Sequence, residues 1–304
     1  MCGQEFARCQ CSWPDLKIML LVQHMTTPSA QFALPHQAGQ ESPWGTYKPS
    51  GVAALGIAVT RSPFARGPIY RAVRRLVSRI QPTYDIVVDG IKFRCTINDN
   101  ATEMGLVFNG HRQERQGRHA LLKDVVPGNV VVDIGANCGT YSLFSARAVG
   151  SAGKVIAIEP LPVMVKRLKF NIAVNGFRNI HVFAEAVGAA EDMQELYLDG
   201  SQLGLSTMRP QAGLTALRVP ISPLDSIVAK AEVRQIDRLK IDVEGYEDRV
   251  LLPFIETAPK ALWPKRIFME TLWSDRWELD CVGELRKAGY REIWREKPDI
   301  LLAL

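Results

Sequence analysis

Residues 130–140 read Val-Val-Val-Asp-Ile-Gly-Ala-Asn-Cys-Gly-Thr, an apolar run followed by a glycine-containing turn. The run predicts a buried β-strand, and the turn leads into a helix that begins near Thr140. A second apolar run, Ile156-Ala157-Ile158, ends in Glu159, where the neighbouring strand of a βαβ unit would stop. Glycines let the backbone approach a ligand, and a carboxylate can accept both ribose hydroxyls. These strand ends therefore predict a site for a nucleoside-containing cofactor.

The glycine spacing indicates which cofactor this is. Dinucleotide folds use G-x-G-x-x-G, because a pyrophosphate must lie against backbone amides at a helix N-terminus. Here Gly135 and Gly139 flank Asn137, and the middle glycine of that pattern is missing. Such a turn suits S-adenosylmethionine, whose amino-acid end would meet Asp133 and the loop. An ordinary glycine turn after a strand is the alternative, and Glu159 on the next strand favours the cofactor.

Composition limits the classes of protein to which the chain can belong. Its 304 residues are 47% hydrophobic, enough for one large α/β domain and an extension, and the net charge is +5. No run reaches the length of a membrane-spanning helix, and no signal peptide is evident, so the sequence predicts an intracellular, cytoplasmic protein. Three isolated cysteines are predicted to be reduced and buried: Cys95, Cys138 and Cys281.

The N-terminal part of the chain divides into two predicted segments. Residues 1–67 are rich in Pro, Gly, Ser, Thr and Gln and predict a poorly ordered extension. Residues 68–83 predict a basic amphipathic helix, with Pro68 at its start and Pro82 ending it. Helix 68–81 could pack against the main domain or make weak peripheral contact with an anionic membrane. Because no aromatic residues alternate with its arginines, we predict no nucleic-acid partner.

Residues 84–304 predict one α/β domain. An Asp-Gly pair between two apolar runs predicts a β-hairpin over residues 84–95. After a helix near 116–126, strands alternate with helices: strands at 130–134, 154–159, 180–184, 239–243 and 266–270. This alternation predicts a Rossmann-like, mainly parallel sheet with helices on both faces, and residues 290–303 predict an antiparallel C-terminal edge hairpin. The variable loops 97–120 and 200–216 are expected to form the acceptor pocket.

Acidic residues follow several of these strands, at the edge where such sheets bind ligands. Asp242 and Glu244 alternate in an extended strand end, which would place both carboxylates on one side, and Glu270 on the next strand could join them. Like charges raise proton affinity, so the three acids predict a general base or an anchor for a hydroxyl group. A divalent metal is compatible with them, but nothing requires one and none is predicted. Helix capping before residues 246–258 is the alternative role.

Two further positions complete the predicted site. Glu185 and Ala186 follow the third strand, next to the strand that would hold the ribose, so either could meet the adenine edge. His119 precedes the cofactor-binding strand, in a segment able to fold over the cofactor, and is a weaker candidate for a catalytic base.

Several segments resemble the FkbM family of S-adenosylmethionine-dependent methyltransferases. They are Val132-Asp-Ile-Gly-Ala-Asn-Cys-Gly-Thr140, Ile158-Glu-Pro160, Ala186-Val-Gly188, Leu224-Asp225 and, most specifically, Leu239-Lys-Ile-Asp-Val-Glu-Gly-Tyr-Glu247. The resemblance covers roughly residues 103–304. It implies a class I methyltransferase fold that methylates hydroxyl groups of sugars or secondary metabolites. Glu114 is similar to the family's acid ahead of the first strand, which implies a contact with the cofactor.

Three other functions stay open at the level of sequence. An N-methyltransferase could use the same pocket, because amines need less help from a base. A nicotinamide-dependent oxidoreductase would share the strand-turn-helix unit, although the missing glycine disfavours it. The chain could also bind the cofactor without catalysis and serve as an interaction module through its basic helix.

Overall fold

The computed structural model describes residues 42–304, and a seven-stranded sheet lies at the centre of the fold. The α-helices in chain order are α1 (Gly51–Arg61), α2 (Gly67–Ile80), α3 (Ala101–Asn109), α4 (Arg115–Leu122), α5 (Thr140–Val149), α6 (Pro162–Asn175), α7 (Leu224–Lys230), α8 (Glu247–Thr257) and α9 (Cys281–Lys287). The strands are β1 (Thr83–Val88), β2 (Ile91–Thr96), β3 (Val130–Ile134), β4 (Lys154–Ile158), β5 (Ile180–Phe183), β6 (Ala186–Val187), β7 (Asp192–Leu198), β8 (Thr215–Ser222), β9 (Arg238–Ile241), β10 (Arg266–Glu270), β11 (Arg291–Glu296) and β12 (Asp299–Ala303).

The central sheet has the strand order β5-β4-β3-β9-β10-β12-β11. The five strands from β5 to β10 pair in parallel, and β12 pairs antiparallel with both β10 and β11. Strand order reverses at β3, where the next strand in sequence lies on one side and β9 on the other. This order confirms the predicted mainly parallel, Rossmann-like sheet with an antiparallel C-terminal edge, the class I methyltransferase arrangement.

Helices cover both faces of the sheet because alternate residues of each strand point in opposite directions. Val132 and Ile156 are fully buried in a cluster that also contains apolar residues of α7, α8 and α9. Their neighbours Val131 and Val155 are buried on the opposite face, together with Ala146 and other residues of α5. The continuous apolar runs noted in the sequence are therefore strands buried on both sides.

The predicted hairpin is present as β1 and β2, whose residues pair antiparallel across the Asp89-Gly90 turn. Both turn residues have positive φ, +47° and +82°, as the tightest hairpin turns require. A separate three-stranded sheet has the order β6-β8-β7 and lies in the chain between β5 and β9. The three cysteines that were predicted to be reduced and buried are free and buried.

Helix α1 corrects the prediction of a poorly ordered extension over residues 1–67. It is apolar nearly all round, so the sequence shows no helical period, yet it packs closely on α2. A β-carbon on Gly56 would lie 2.5 Å from a methyl of Val77, so only glycine permits this approach. Residues 1–41 lie outside the described part of the chain. The predicted basic helix is present as α2 and ends two residues before Pro82.

One helix was not predicted, and two predicted elements have different limits. Residues 101–109 form helix α3 within the predicted loop 97–120, and Asn100 caps it by accepting a bond from the N–H of Glu103. The helix predicted over 116–126 ends at Leu122, since Asp124 has a positive φ of 63°. Strand β9 ends at Ile241, two residues earlier than predicted.

Candidate active site

A cleft of about 840 Å³ opens at the carboxyl ends of β3, β4 and β9. Strand order reverses here, which is where open α/β sheets bind ligands. Both loops that were predicted to form the acceptor pocket reach it: residues 97–120 through Thr102 and Glu114, and residues 200–216 through Leu203, Ser206 and neighbouring residues. The other lining residues come from the strand ends and from the start of α5 and α6: Ile134, Gly135, Ala136, Asn137, Thr140, Tyr141, Ile158, Glu159, Pro160, Met164, Glu185, Ala186, Val187, Leu196, Lys240, Asp242, Val243, Glu244 and Tyr246.

The glycine loop after β3 is held between the ends of two other strands. Gly135 has φ +74°, and a β-carbon there would lie 2.0 Å from the carbonyl oxygen of Asp242. The N–H groups of Gly135 and Ala136 both donate to the carbonyl of Ile158, at 3.0 Å. Only glycine fits this position, because any side chain would collide with the backbone of Asp242, directly after β9. The loop backbone is thereby fixed at the floor of the cleft.

Glu159 stands at the end of β4 and receives two backbone hydrogen bonds. Its Oε2 accepts from the N–H of Asn137 at 2.9 Å, and its Oε1 accepts from the N–H of Leu161 at the same distance. Burial raises the pKa of this carboxyl to about 7, although both N–H groups act in the opposite direction. Each oxygen keeps a further lone pair, so the side chain can still accept hydroxyl groups from a ligand in the cleft.

Asp133 lies beneath the glycine loop rather than in the cleft. It is buried, its Oδ2 accepts the hydroxyl of Ser142 at 2.6 Å, and Lys240 Nζ lies 3.5 Å from its Oδ1. This carboxylate is predicted to meet the amino-acid end of the cofactor, but Asp133 is not among the residues that line the cleft. The side chain of Asp133 points from β3 towards Ser142 on α5, and therefore does not reach the cleft. Gly139 likewise lies outside the lining, at the N-cap of α5 with φ +97°.

Lys240 organises the charges beneath the loop. Its Nζ donates to the carbonyl of Gly135 at 2.8 Å and lies 3.8 Å from Asp242 Oδ2. Burial would lower the pKa of this ammonium group, but the carboxylates of Asp133 and Asp242 outweigh burial and raise it. Lys240 therefore stays charged and links the ends of β3 and β9.

The remaining predicted cofactor contacts all line the cleft. Glu185 accepts the hydroxyl of Ser222, a residue of β8, and Ala186 begins β6. Glu114 has a positive φ of 50°, and its Oε1 accepts the side-chain amide of Gln113 at 3.1 Å. Burial raises the pKa of Glu114. These three residues come from different parts of the chain: Glu114 precedes α4, and Glu185 and Ala186 follow β5.

Asp242, Glu244 and Glu270 form an acid cluster, in which one carboxylate oxygen from each lies within 4.8 Å of the others. They converge for a different reason from the predicted one. β9 ends before Asp242, and Glu244 has a left-handed backbone with φ +56°. The spacing of these oxygens also suits a single divalent cation.

The acids of the cluster are partly buried, and this changes the protonation of two of them, Glu244 and Glu270. Burial, followed by the charges of Asp242 and Glu244, raises the pKa of Glu270 to about 10. Burial and Asp242 raise the pKa of Glu244 well above its usual value, against the hydrogen bond that Trp273 Nε1 donates to Glu244. At neutral pH, Glu270 is therefore a neutral hydrogen-bond donor next to a carboxylate.

The helix-capping alternative for these acids does not apply to α8. Its N-cap is Tyr246, without a side-chain cap, and the N–H groups of Val243 and Gly245 donate to Glu247 instead. The first turn of the helix thus supplies its own acceptor, which leaves the acids at 242 and 244 facing the cleft.

His119 does not reach the cleft. It lines a separate groove that also contains Arg118 and Phe144. On α4, Gly117 faces inward against Tyr141, and a residue two positions later lies about 200° further round the helix. The structure therefore does not bring His119 to the cleft with the other predicted site residues, because α4 turns its imidazole towards the separate groove.

Two residues of the site were missed at the level of sequence. Lys240 is a charged residue within an apolar strand, and this anomaly could have indicated a buried ion pair. Asn100 donates from Nδ2 to Asn137 Oδ1 at 2.9 Å and so connects α3 to the glycine loop. Its position before a helix predicts a cap, but nothing in the sequence indicates its second partner.

Comparison with known proteins places this cleft in a family. Residues 133–292 match the model of the methyltransferase FkbM domain, which is more than half of the chain. The chain belongs to this family, as the segments quoted above predicted. Residues 133–292 are accordingly an FkbM methyltransferase domain with the class I fold, and the cofactor of this family is S-adenosylmethionine.

Individual relatives are more distant. The chain is 27% identical over 181 residues to the protein-L-isoaspartate O-methyltransferase of Aeropyrum pernix, covering 60% of each protein. Among solved structures, an S-adenosylmethionine-dependent methyltransferase from Aquifex aeolicus is 17% identical with a TM-score of 0.37, covering 62% of this chain and 90% of that one. Trm5b from Pyrococcus abyssi is 16% identical with a TM-score of 0.40, covering 73% and 54%. These scores are low, so the fold assignment depends on strand order and the family match.

None of the helices within residues 42–304 has the length and apolar character needed to cross a bilayer. The predicted absence of a nucleic-acid partner stays a prediction.

Proposed function

We propose that this methyltransferase transfers the methyl group of S-adenosylmethionine to a hydroxyl group of a sugar or secondary-metabolite acceptor. One observation carries the proposal: the acid cluster adjoins the cofactor cleft, with Asp242 and Glu244 in its lining. A hydroxyl nucleophile must lose its proton during attack, and the carboxylate of Asp242 can take it.

The cofactor roles follow from position in the cleft. Glu159 accepts the ribose hydroxyls, because it is the carboxyl group at the end of β4 with unused lone pairs. Glu185 and Ala186 lie beside the next strand and contact the adenine edge. The loop from Gly135 to Asn137 receives the amino-acid end, and Glu114, which lines the same cleft, contacts the cofactor as well.

Methyl transfer is an in-line displacement at carbon. The acceptor oxygen forms a bond to the methyl carbon while the carbon–sulfur bond breaks, and S-adenosylhomocysteine leaves with the electron pair. The hydroxyl proton passes to the carboxylate of Asp242, while the neutral carboxyl of Glu270 donates a hydrogen bond to the acceptor. Alignment of the three atoms supplies a large share of the acceleration, up to roughly 7–11 kcal/mol in the best intramolecular cases.

The acid cluster disfavours one alternative acceptor. The Aeropyrum relative is named for methylation of isoaspartate, a carboxylate. A carboxylate acceptor would meet the charge of Asp242 in a site where two other acids already keep their protons. A neutral hydroxyl group avoids this repulsion. A protonated amine would be attracted to the charge of Asp242. The test must therefore distinguish N-methylation from O-methylation.

The test uses S-adenosylmethionine with a labelled methyl group and fractions of polysaccharide, small metabolites and protein. We expect label in a hydroxyl-bearing fraction as an ether, which resists mild base. The Asp242→Asn variant should lose at least about a hundredfold in kcat while binding S-adenosylhomocysteine normally. Glu256→Gln, an exposed acid on α8, is the matched control and should retain full activity.

Three outcomes contradict the proposal. Label that mild base releases from protein as methanol indicates carboxyl methylation. Label retained on nitrogen indicates an N-methyltransferase. Tight binding of S-adenosylhomocysteine without transfer to any fraction indicates a non-catalytic module.

A further inference from the structure

The helical hairpin of α1 and α2 exposes an unusual amount of apolar surface. We call its six exposed large apolar side chains the hairpin patch: Val52, Leu55, Phe64, Ile69, Leu76 and Ile80. Phe64, in the turn between the helices, is 89% exposed, and Leu55 on α1 is 67% exposed. Single exposed apolar residues are ordinary, but six within 29 consecutive positions are typical of a surface that binds a partner.

Helical geometry separates this apolar surface from the buried side of α2. Ile69, Leu76 and Ile80 are spaced by seven and four residues, so they form one stripe along the helix. Val77 is fully buried against α1 and marks the face that packs on the protein. The apolar stripe is therefore additional to the packing face. It is not needed to hold α2 in place.

Helix α1 adds a second, independent feature. Its sequence, Gly-Val-Ala-Ala-Leu-Gly-Ile-Ala-Val-Thr-Arg, has no charged residue before Arg61. A helix that is apolar all round is normally buried in a core or in lipid. Here Ala53 and Ile57 face the protein, while Val52 and Leu55 face outward.

Charge identifies the partner. Residues 42–84 contain no acidic residue and seven basic ones: Lys48, Arg61, Arg66, Arg71, Arg74, Arg75 and Arg79. Arg71, Arg75 and Arg79 are exposed and spaced by four residues, so they form a stripe along α2 beside the apolar one. An apolar stripe beside a basic stripe matches the interface of an anionic bilayer, with acyl chains beneath phosphate groups.

We infer that the hairpin patch and its arginines bind the surface of an anionic membrane, with α1 and α2 lying in the interface. A second copy of the chain is a poorer partner, because two surfaces with seven basic residues each would repel one another. A nucleic acid would use the arginines but leave the aliphatic stripe without a role. This inference does not depend on the acceptor proposed above.

The experiment measures sedimentation of the full chain with vesicles. Vesicles of phosphatidylcholine alone are compared with an equimolar mixture of phosphatidylcholine and phosphatidylserine. We expect binding to the mixed vesicles only, and weaker binding as ionic strength rises. Equal binding to both kinds of vesicle, or to neither, overturns the inference.

Two sets of variants test the two stripes separately. Leu55→Asp with Leu76→Asp should weaken binding to mixed vesicles roughly tenfold or more, because two inserted side chains are lost. Arg71→Gln, Arg75→Gln and Arg79→Gln together should weaken it roughly a hundredfold, at about fivefold for each charge. The controls are exposed residues elsewhere: Leu279→Asp with Ile293→Asp, and Arg178→Gln, Arg234→Gln and Arg291→Gln together.

Folding of each variant is checked by its melting temperature and by its affinity for S-adenosylhomocysteine. Phe64→Ser provides a test that avoids the helices, because this residue lies in an exposed turn; it too should weaken vesicle binding. If the protein binds RNA, and this binding needs the arginines but not the leucines, the partner of this surface is a nucleic acid and not a membrane. If the protein does not bind vesicles but forms a dimer, and Leu76→Asp dissociates this dimer, the partner of this surface is a second copy of the chain. Either result overturns the inference.

Discussion

The backbone N–H of Asn137 donates a 2.9 Å hydrogen bond to Oε2 of Glu159, which joins the glycine loop to the end of the neighbouring strand. The bond requires the loop to have its observed turn, in which Asn137 itself has a positive φ of 51°. The carboxyl group that we assign to the ribose thus also fixes the loop that we assign to the amino-acid end. Loss of this carboxylate should therefore affect both ends of the cofactor.

The first prediction concerns cofactor binding and pH. The pKa of Glu159 is raised to about 7, chiefly by burial, so the carboxylate that accepts hydroxyl groups forms as pH rises through 7. Affinity for S-adenosylhomocysteine should rise between pH 6 and pH 8 by up to about tenfold, as titration calorimetry can measure. Glu159→Gln should bind weakly and without this pH dependence. An unchanged pH profile in Glu159→Gln would remove Glu159 from the ribose site.

The second prediction concerns the close approach at the glycine loop. Gly135→Ala places a methyl group 2.0 Å from the carbonyl oxygen of Asp242, in a backbone conformation with positive φ. It should lower the free energy of unfolding by about 2–4 kcal/mol, measured by urea denaturation. The matched control is Gly176→Ala, which has φ +71° and nothing within 4 Å, and should cost only about 1 kcal/mol. Equal losses would show that backbone strain, not the collision, decides the cost.

The third prediction concerns the half-buried carboxyl group of Glu270. Its pKa is raised from 4.5 to about 10 by burial and by Asp242 and Glu244. The neutral group stabilises the fold fully below about pH 4.5, and this stability is lost as pH rises towards 10. Glu270→Gln stays neutral, so it should be more stable than the natural protein at pH 8, by on the order of 2 kcal/mol.

The gain from Glu270→Gln should shrink towards zero near pH 4.5. Chemical denaturation at several pH values measures it, with Glu256→Gln, an exposed acid, as the control that should show no such trend. A Glu270→Gln variant no more stable than the natural protein at pH 8 would contradict the assignment of a neutral carboxyl group.

The fourth prediction concerns a buried ion-pair cluster behind the site. Arg167 donates to Asp99 from both Nη atoms, at 2.9 and 2.6 Å, and also to Glu103. Arg167→Met would leave two carboxyl groups buried without their partner, and should destabilise the protein by about 3–5 kcal/mol. Lys169→Met, an exposed position on the same helix, should change stability little. Thermal denaturation of the two variants compares them directly.

Arg167→Met should also weaken cofactor binding. Asp99 and Glu103 flank Asn100, whose side chain holds Asn137 in the glycine loop. If Arg167→Met destabilised the fold while leaving affinity for S-adenosylhomocysteine intact, this link between the cluster and the loop would be wrong.

Local sequence was sufficient for much of the fold. The β3 strand and its turn were predictable because apolar runs and glycines act through the residues next to them. The Asp89-Gly90 hairpin was predictable for the same reason. Helix α1 was not, because a helix that is apolar all round lacks the periodicity that identifies helices, and its packing depends on Gly56 meeting α2.

The site was predictable only in part. Glu159 and the acid cluster lie at the carboxyl ends of predicted strands. Since parallel sheets bind ligands at that edge, the location of these acids was predictable from the sequence. The sequence did not show that Asp133 and His119 lie outside the cleft lining, because it gives the element but not the direction of the side chain. Asp133 points beneath the loop towards Lys240, and α4 turns His119 outward.

The sequence by itself determined the strands, the glycine turn, the position of Glu159 and the family. Only the tertiary structure decided that Asp242 and Glu270, 28 residues apart in the chain, bring their carboxylate oxygens within 4.8 Å. The physical reason is that strand pairing acts between residues distant in sequence: β9 and β10 become parallel neighbours only when helix α8 folds back across the sheet. That pairing brings the acids together, and their partial burial raises the pKa of Glu244 and of Glu270.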